Sequence, residues 1–282
     1  MSATPHPDPA ARAGPRDVLQ RPGAPPDAVL RYGPSGRSVV DLRLPVRAAG
    51  DPPARLVVLL HGGFWRAVYD RGHTRPLADG LAAAGWAVAT PEYRGTGEPG
   101  GGWPGTFDDV AAALRALPDL VEAVAPGVVD VGAPLLLGHS AGGQLALWAA
   151  ATPSVRPPGL AGVVALAPVA DLGTAWRLDL DRGAVTALLA GSPAEVPDRY
   201  AAVDPVRLPA PPVPVTVLHG TDDEQVPPSL SESYGKATGT RVELLERVEH
   251  FGLIDPRSAA WPRVLAALDA LRGREQGVLT VP

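Results

Sequence analysis

Short runs of apolar residues recur along most of the chain, and segments with helical spacing separate them. Runs that are apolar throughout suit strands that are covered on both faces, as in a parallel sheet flanked by helices. An alternating stretch at residues 38–44 instead predicts an edge strand. The predicted buried strands are residues 55–60, 87–90, 134–137, 162–167, 213–218 and 241–245.

Helical segments lie between these strands. The pattern predicts helices at residues 74–84, 106–124, 142–151 and 259–272. Strands that alternate with helices are typical of a doubly wound α/β fold, a mostly parallel sheet with helices on both faces. The segment at about 172–209 departs from this alternation, because it has several prolines and one short helical piece at 184–190. We interpret it as a small lid.

The first 27 residues differ in composition from the rest. They are rich in proline, alanine, arginine and glycine and have no apolar periodicity. Such a segment cannot bury enough surface to offset the entropy lost on ordering, so residues 1–27 are predicted to form a flexible tail. The remaining residues, 28–282, are predicted to form one domain, because a chain that is 45% hydrophobic can build a single sizeable core.

Charge and hydropathy narrow the class of partner. The formal net charge is -5 and no block of lysine or arginine stands out, so neither nucleic acid nor an anionic membrane is expected as a partner. A small-molecule substrate is expected, and a homodimer is left open. Residues 1–26 lack the pattern of a signal peptide, and no run approaches the ~18 apolar residues of a membrane span. The expected location is the cytoplasm.

The chain contains no cysteine. Disulfides, thiolate catalysis and cysteine-ligated metals are therefore excluded. The chemistry must come from other side chains, and we expect it to need neither a metal nor an organic cofactor.

Chemistry-bearing residues follow three of the predicted strands, at the edge where ligands bind in open α/β sheets. The strand at 134–137 leads into Gly138-His-Ser-Ala-Gly-Gly143 and then a helix. This is a Gly-x-Ser-x-Gly elbow, in which small neighbours let a nucleophilic serine adopt a strained backbone conformation. Ser140 is the predicted nucleophile.

The strand at 55–60 runs into His61-Gly-Gly-Phe-Trp65. Acyl transfer needs two backbone N–H groups directed at the developing oxyanion. One is expected from Ala141, directly after the nucleophile. The other is expected from Gly63 or Phe64, where the glycines expose the amides of the turn.

The strand at 213–218 ends in His219-Gly-Thr-Asp-Asp-Glu-Gln-Val-Pro227, which offers two adjacent acids, Asp222 and Asp223. Either can orient a histidine base through its Nδ1 proton. The base is identified by elimination. His6 lies in the tail, and His61 and His219 each precede a glycine at a strand end. His73 follows the predicted oxyanion turn and is expected on the surface or in the lid. His139 adjoins the nucleophile, but its side chain is expected to diverge from that of Ser140. This leaves His250, on the loop before the last helix.

The joint pattern resembles the α/β-hydrolase superfamily over roughly residues 30–272. His61-Gly-Gly-Phe-Trp65 and Gly138-His-Ser-Ala-Gly-Gly143 are similar to motifs of its esterase and kynurenine formamidase (arylformamidase) branch. The resemblance implies the chain order Ser140, Asp223, His250, because the superfamily's His-Gly-x-x-Asp loop has its acid at the fifth position, here Asp223. The chain departs from the branch at Phe64, where tyrosine is common, and in a lid that matches no single activity.

The resulting prediction is a serine hydrolase that cleaves a carboxylic ester or an aryl formamide through an acyl-enzyme. Trp65, Trp103 and Trp176 are candidates to line an aromatic substrate pocket. Alternatives remain open: a peptidase similar to prolyl oligopeptidases, a biosynthetic thioesterase or acyltransferase, and a non-catalytic binder of small molecules. The peptidase alternative is weakened by the lack of room for the large N-terminal propeller that such enzymes usually carry.

Overall fold

The computed structural model describes residue 14 and residues 16–272. Eight strands form one sheet in the order β1-β2-β4-β3-β5-β6-β7-β8. β1, β2 and β4 pair antiparallel, and every pair from β4 through β3 to β8 is parallel. The strands are β1 Ala28–Arg31, β2 Val39–Arg43, β3 Ala54–Leu60, β4 Ala87–Pro91, β5 Val129–His139, β6 Gly162–Leu166, β7 Val215–Gly220 and β8 Val242–Leu245.

Helices follow or connect most of these strands. Short 3-10 helices lie at Arg71–Thr74, Pro205–Arg207 and His250–Ile254. The α-helices are α1 Asp17–Gln20, α2 Arg75–Ala83, α3 Gly105–Val124, α4 Ala141–Ala151, α5 Leu172–Arg177, α6 Ala184–Leu189, α7 Pro197–Val203, α8 Ser229–Thr238 and α9 Trp261–Arg272.

The sheet is covered on both faces, and most positions of its central strands are apolar. Successive side chains of a strand point to opposite faces. In β3, Leu56, Val58 and Leu60 belong to one hydrophobic cluster, together with residues of α3 and α4. Val57 and Leu59 belong to a second cluster, with residues of α2 and α9. This layering confirms the predicted doubly wound α/β class.

Two expectations for the start of the chain need correction. The edge strand is β1 rather than residues 38–44, since β2 lies between β1 and β4. β1 escaped prediction because it has only four residues, with one fully buried position. The tail prediction for residues 1–13 and 15 lies outside the described residues. Residues 16–27 are not a detached tail, because Val18 of α1 is buried and Arg21 pairs with Asp255 at 2.6 Å.

The segment between β6 and β7 consists of α5, α6, α7 and a 3-10 helix. It corresponds to the stretch predicted as a lid. Arg66, from the turn after β3, forms an ion pair with Asp181 of this segment and also donates to the Asp181 carbonyl. The segment is therefore tied to the β3 end of the sheet, above the carboxyl ends of the parallel strands.

Candidate active site

Ser140 stands between the end of β5 and the start of α4, with φ 56° and ψ −119°. This conformation is strained for a residue with a side chain. Gly138 and Gly142, on either side of Ser140, leave no room for a side chain. A Cβ on Gly142 would lie 2.0 Å from the Leu60 carbonyl oxygen, and one on Gly138 would lie 2.2 Å from the Gly142 carbonyl oxygen. The Ser140 amide donates to the Leu166 carbonyl at 2.8 Å, which anchors the elbow to β6.

His250 begins the 3-10 helix after β8 and is held by a carboxylate. Its Nδ1 lies 2.6 Å from Oδ2 of Asp223, and both side chains are buried. The other carboxylate oxygen, Oδ1, accepts from the amides of Gln225 and Val226 at 2.9 and 2.8 Å. Asp222 is exposed and accepts from Thr221 instead. Asp223 is therefore the acid that contacts the histidine.

The charge of Asp223 is stabilised from several sides. Burial by itself would raise its pKa, but hydrogen bonds with His219 and His250 lower the pKa well below its usual range. His219 Nε2 lies 3.3 Å from Asp223 Oδ2, and His219 Nδ1 lies 2.6 Å from Ser231 Oγ. An ionised Asp223 accepts the Nδ1 proton of His250, which leaves the Nε2 atom of His250 as the acceptor for a further proton.

Ser140 and His250 line the same cavity, which has a volume of about 480 Å³. Within residues 16–272, Ser140 Oγ forms no hydrogen bond in this state. Catalytic hydrogen bonds are commonly long in ligand-free enzymes and tighten when substrate binds. The cavity thus brings the predicted nucleophile and the predicted base to one space, with the acid behind the base.

The turn after β3 lies against the elbow and exposes its amides. Gly63, Phe64 and Trp65 have φ values of 110°, 48° and 56°. Gly63 and Phe64 line the cavity, and their N–H groups find no acceptor among the described residues. Ala141 opens α4, so its N–H has no partner within the helix. The three predicted oxyanion donors therefore lie around the nucleophile with their amides available.

A buried polar cluster supports this turn. His61 Nε2 lies 3.0 Å from Oε1 of Glu92, and the Tyr93 hydroxyl donates to the His61 carbonyl at 2.8 Å. Burial of Glu92 opposes its ionisation, yet the hydrogen bond with His61 and backbone donors lower its pKa to about 2. His61 was predicted to be structural, but its partner was missed because Glu92 lies 31 residues away.

Two further histidines lie near the predicted nucleophile and base. The His139 ring centroid lies 4.4 Å from that of His250, so His139 packs against the predicted base. His139 Nε2 is 3.1 Å from the His250 carbonyl oxygen and, as a donor, holds the loop that carries the base. His73, expected on the surface or in the lid, lines the cavity. Its burial and the charge of His61 lower its pKa to about 4.

The three tryptophans proposed for the substrate pocket do not line this cavity. Trp65 is buried in the core and donates from Nε1 to Gln144 Oε1 at 3.1 Å. Trp103 packs on Phe107, and Trp176 on α5 is 38% exposed. The aromatic lining comes from Phe64, Tyr69 and Phe251. Tyr69 and Phe251 could have been identified from the sequence, since both lie in the loops that carry the predicted oxyanion donors and the predicted base.

Residue 14 and residues 16–272 contain no group of three or more histidine and acidic side chains placed to hold a metal ion. The same residues contain no helix long and apolar enough to cross a membrane.

A serine on a strained strand–helix elbow, with an acid and a histidine that follow later strands of a parallel sheet, defines an α/β-hydrolase. The BD-FAE family model matches residues 40–237, so the chain belongs to the BD-FAE family. The predicted superfamily is confirmed. No curated protein matches by sequence.

Solved structures share the fold. Esterase B from Lactobacillus rhamnosis has a TM-score of 0.72 at 22% identity, over 91% of this chain and 90% of that chain. Est2, a thermophilic esterase from Thermogutta terrifontis with bound propionate, has a TM-score of 0.62 at 22% identity, over 86% and 92%. A putative thioesterase from Silicibacter sp. TM1040 has a TM-score of 0.65 at 26% identity, over 89% and 88%.

Proposed function

We propose that the protein is a serine hydrolase that cleaves a carboxylic ester or an aryl formamide of a small molecule. One observation carries the proposal. Ser140, in a strained elbow, lines the same cavity as His250, whose Nδ1 atom lies 2.6 Å from the ionised Asp223. The likeness to esterase structures supports a hydrolase, and the ester-or-formamide choice rests on the motifs around Ser140 and Gly63.

The reaction begins when Ser140 Oγ attacks the carbonyl carbon of the substrate. His250 Nε2 takes the hydroxyl proton, and Asp223 stabilises the imidazolium that forms. The tetrahedral oxyanion accepts hydrogen bonds from the amide of Ala141 and from an amide of the Gly63–Phe64 turn. Each such donor contributes on the order of 3 kcal/mol to the transition state in comparable enzymes.

Collapse of the intermediate breaks the bond to the alcohol or amine, which leaves with the proton that His250 returns. An acyl-enzyme on Ser140 remains. Water then attacks the acyl carbon, His250 takes one of its protons, and a second tetrahedral intermediate releases the acid and restores Ser140. Every proton in this scheme moves through His250, and no cofactor takes part.

A direct comparison of substrates shows whether the enzyme cleaves an ester or a formamide. We would measure hydrolysis of N-formylkynurenine beside short p-nitrophenyl esters, with Ser140→Ala as the blank. Efficient formamide cleavage that depends on Ser140 identifies an arylformamidase. Ester cleavage without formamide cleavage identifies a carboxylesterase. No cleavage of either compound would contradict the proposal and favour a non-catalytic binder.

A further inference from the structure

Two segments outside the predicted catalytic machinery form walls of the cavity over Ser140. One is the N-terminal segment, which contributes Arg16 and Leu19 of α1 and its flank. The other is the loop between α5 and α6, which contributes Asp181 and Arg182. Neither segment carries a predicted catalytic residue, so their side chains are available to select the substrate.

The charges that these segments bring to the cavity are mainly positive. Asp181 is neutralised by its ion pair with Arg66. Arg182 has no carboxylate within 4.0 Å of its side-chain nitrogens among the described residues, and its side chain is exposed. His73 adds no charge near pH 7, because its pKa is lowered to about 4. The lid side of the cavity thus presents one uncompensated guanidinium.

Arg16 supplies the second guanidinium that lines the cavity. Its Nη2 donates to Gln225 Oε1 at 3.3 Å, and its guanidinium carbon lies 5.7 Å from the Phe251 ring centroid. Four acids line the adjoining groove with it (Asp17, Asp222, Glu224 and Glu249). None of them lines the cavity over Ser140, and within the described residues none forms an ion pair with Arg16. These acids reduce the potential of Arg16, so Arg182 is the stronger of the two cations.

The lid loop holds Arg182 in an uncommon conformation. Asp179, Asp181 and Arg182 have φ values of 51°, 46° and 52°, and Gly183 follows at 79°. A run of left-handed residues costs free energy at each position that is not glycine, and such strain concentrates at functional sites. The pairing of Arg66 with Asp181 and its carbonyl keeps this loop against the cavity.

From this arrangement we infer that the hydrolase prefers substrates that carry a carboxylate, which Arg182 binds with help from Arg16. The inference rests on the proposed function and adds a substrate class to it. The carboxylate would lie at the mouth of the cavity, away from the bond that is cleaved. Arginine suits this role, because its planar guanidinium donates two parallel hydrogen bonds to a carboxylate.

The test compares kcat/KM for matched esters. One pair places the charge in the acyl group: the mono-4-nitrophenyl ester of adipic acid and its methyl-capped analogue. The other pair places the charge in the leaving group: 4-acetoxybenzoate and methyl 4-acetoxybenzoate. We expect the anion to be preferred by about tenfold in at least one pair, the size of a partly exposed charge-assisted hydrogen bond. The preference should shrink as salt screens the charges.

Arginine variants test which side chains cause the preference for the anionic ester. Arg182→Gln should remove most of it, and the double variant with Arg16→Gln should remove it entirely. Arg177→Gln is the matched control, because Arg177 is exposed on α5 of the same segment and does not line the cavity. The control should keep the wild-type preference.

Two results would overturn the inference, and they differ from a failure of the proposed function. Hydrolysis of the neutral esters with no preference for the anion in either pair overturns the substrate class alone. An anion preference that survives in the double variant overturns the role of the arginines. If no ester is cleaved and Ser140 is inert to a serine-hydrolase probe, the proposed function fails and this inference with it.

Discussion

Glu92 is a buried acid whose ionisation should stabilise the fold. It is 1% exposed beneath the turn that carries the predicted oxyanion donors. Its Oε1 contacts His61 Nε2 at 3.0 Å and accepts from the Tyr93 amide, and its Oε2 accepts from the Arg71 amide at 3.1 Å. Glu92→Gln removes the charge while keeping the size of the side chain and one acceptor oxygen.

The size of this stabilisation follows from the pKa of Glu92. The pKa of Glu92 falls from 4.5 to about 2 on folding, despite the opposing effect of burial, because His61 and backbone donors stabilise the anion. An acid with a depressed pKa adds stability above its unfolded pKa and loses that stability as the pH falls toward the folded value. The full contribution at pH 7 is about 3 kcal/mol, and about 2 kcal/mol of it is lost between pH 6 and pH 3.

Urea unfolding at pH 6 and at pH 3 measures this contribution. Wild type should lose about 2 kcal/mol of unfolding free energy relative to Glu92→Gln between the two conditions. Glu232→Gln is the control, because Glu232 lies exposed on α8, and it should follow the wild type at both values of pH. A difference between wild type and Glu92→Gln that stays constant with pH would refute the reasoning.

Three further predictions concern other parts of the site. Burial raises the pKa of Asp204, which accepts from the start of α5, to about 6, so wild type should lose about 2 kcal/mol relative to Asp204→Asn as the pH rises from 4 to 7 in urea unfolding. Gly142→Ala should cost about 3 kcal/mol or more by thermal or urea unfolding, because its Cβ meets backbone, whereas Gly36→Ala, with open space around it, should change little. His139→Phe keeps a ring beside His250 but loses the donor to its carbonyl, so kcat should fall by about tenfold with KM little changed; an unchanged kcat would contradict a positioning role.

The spacing of apolar residues predicted most of the fold, because it differs clearly between the strands and the helices of this chain. The strands from β2 to β8 and the helices α2, α3, α4 and α9 were all located from the apolar pattern. β1 and α1 were missed, since four residues with one buried position leave too little periodicity to detect. α8 was also missed, because its few buried residues lie among polar ones.

The grouping of Ser140, Asp223 and His250 could be predicted from the sequence, because it depends on short motifs. The elbow and the Gly63–Phe64 turn are local motifs, and the predicted acid and base follow strands of a parallel sheet. The lining of the cavity was not predictable, because it depends on how distant segments pack. Trp65 lies in a promising turn yet packs inward against Gln144, while Arg16 and Arg182 reach the cavity from segments that carry no motif.

The central claim is that Ser140 is an activated nucleophile. The most direct measurement is labelling of the intact protein with a fluorophosphonate probe, read by mass spectrometry of the whole chain and of its peptides. We predict one added probe on the peptide that contains Ser140, none in Ser140→Ala, and wild-type labelling in Ser154→Ala, where an exposed serine is removed. An unlabelled wild type, or labelling that persists in Ser140→Ala, would contradict the account.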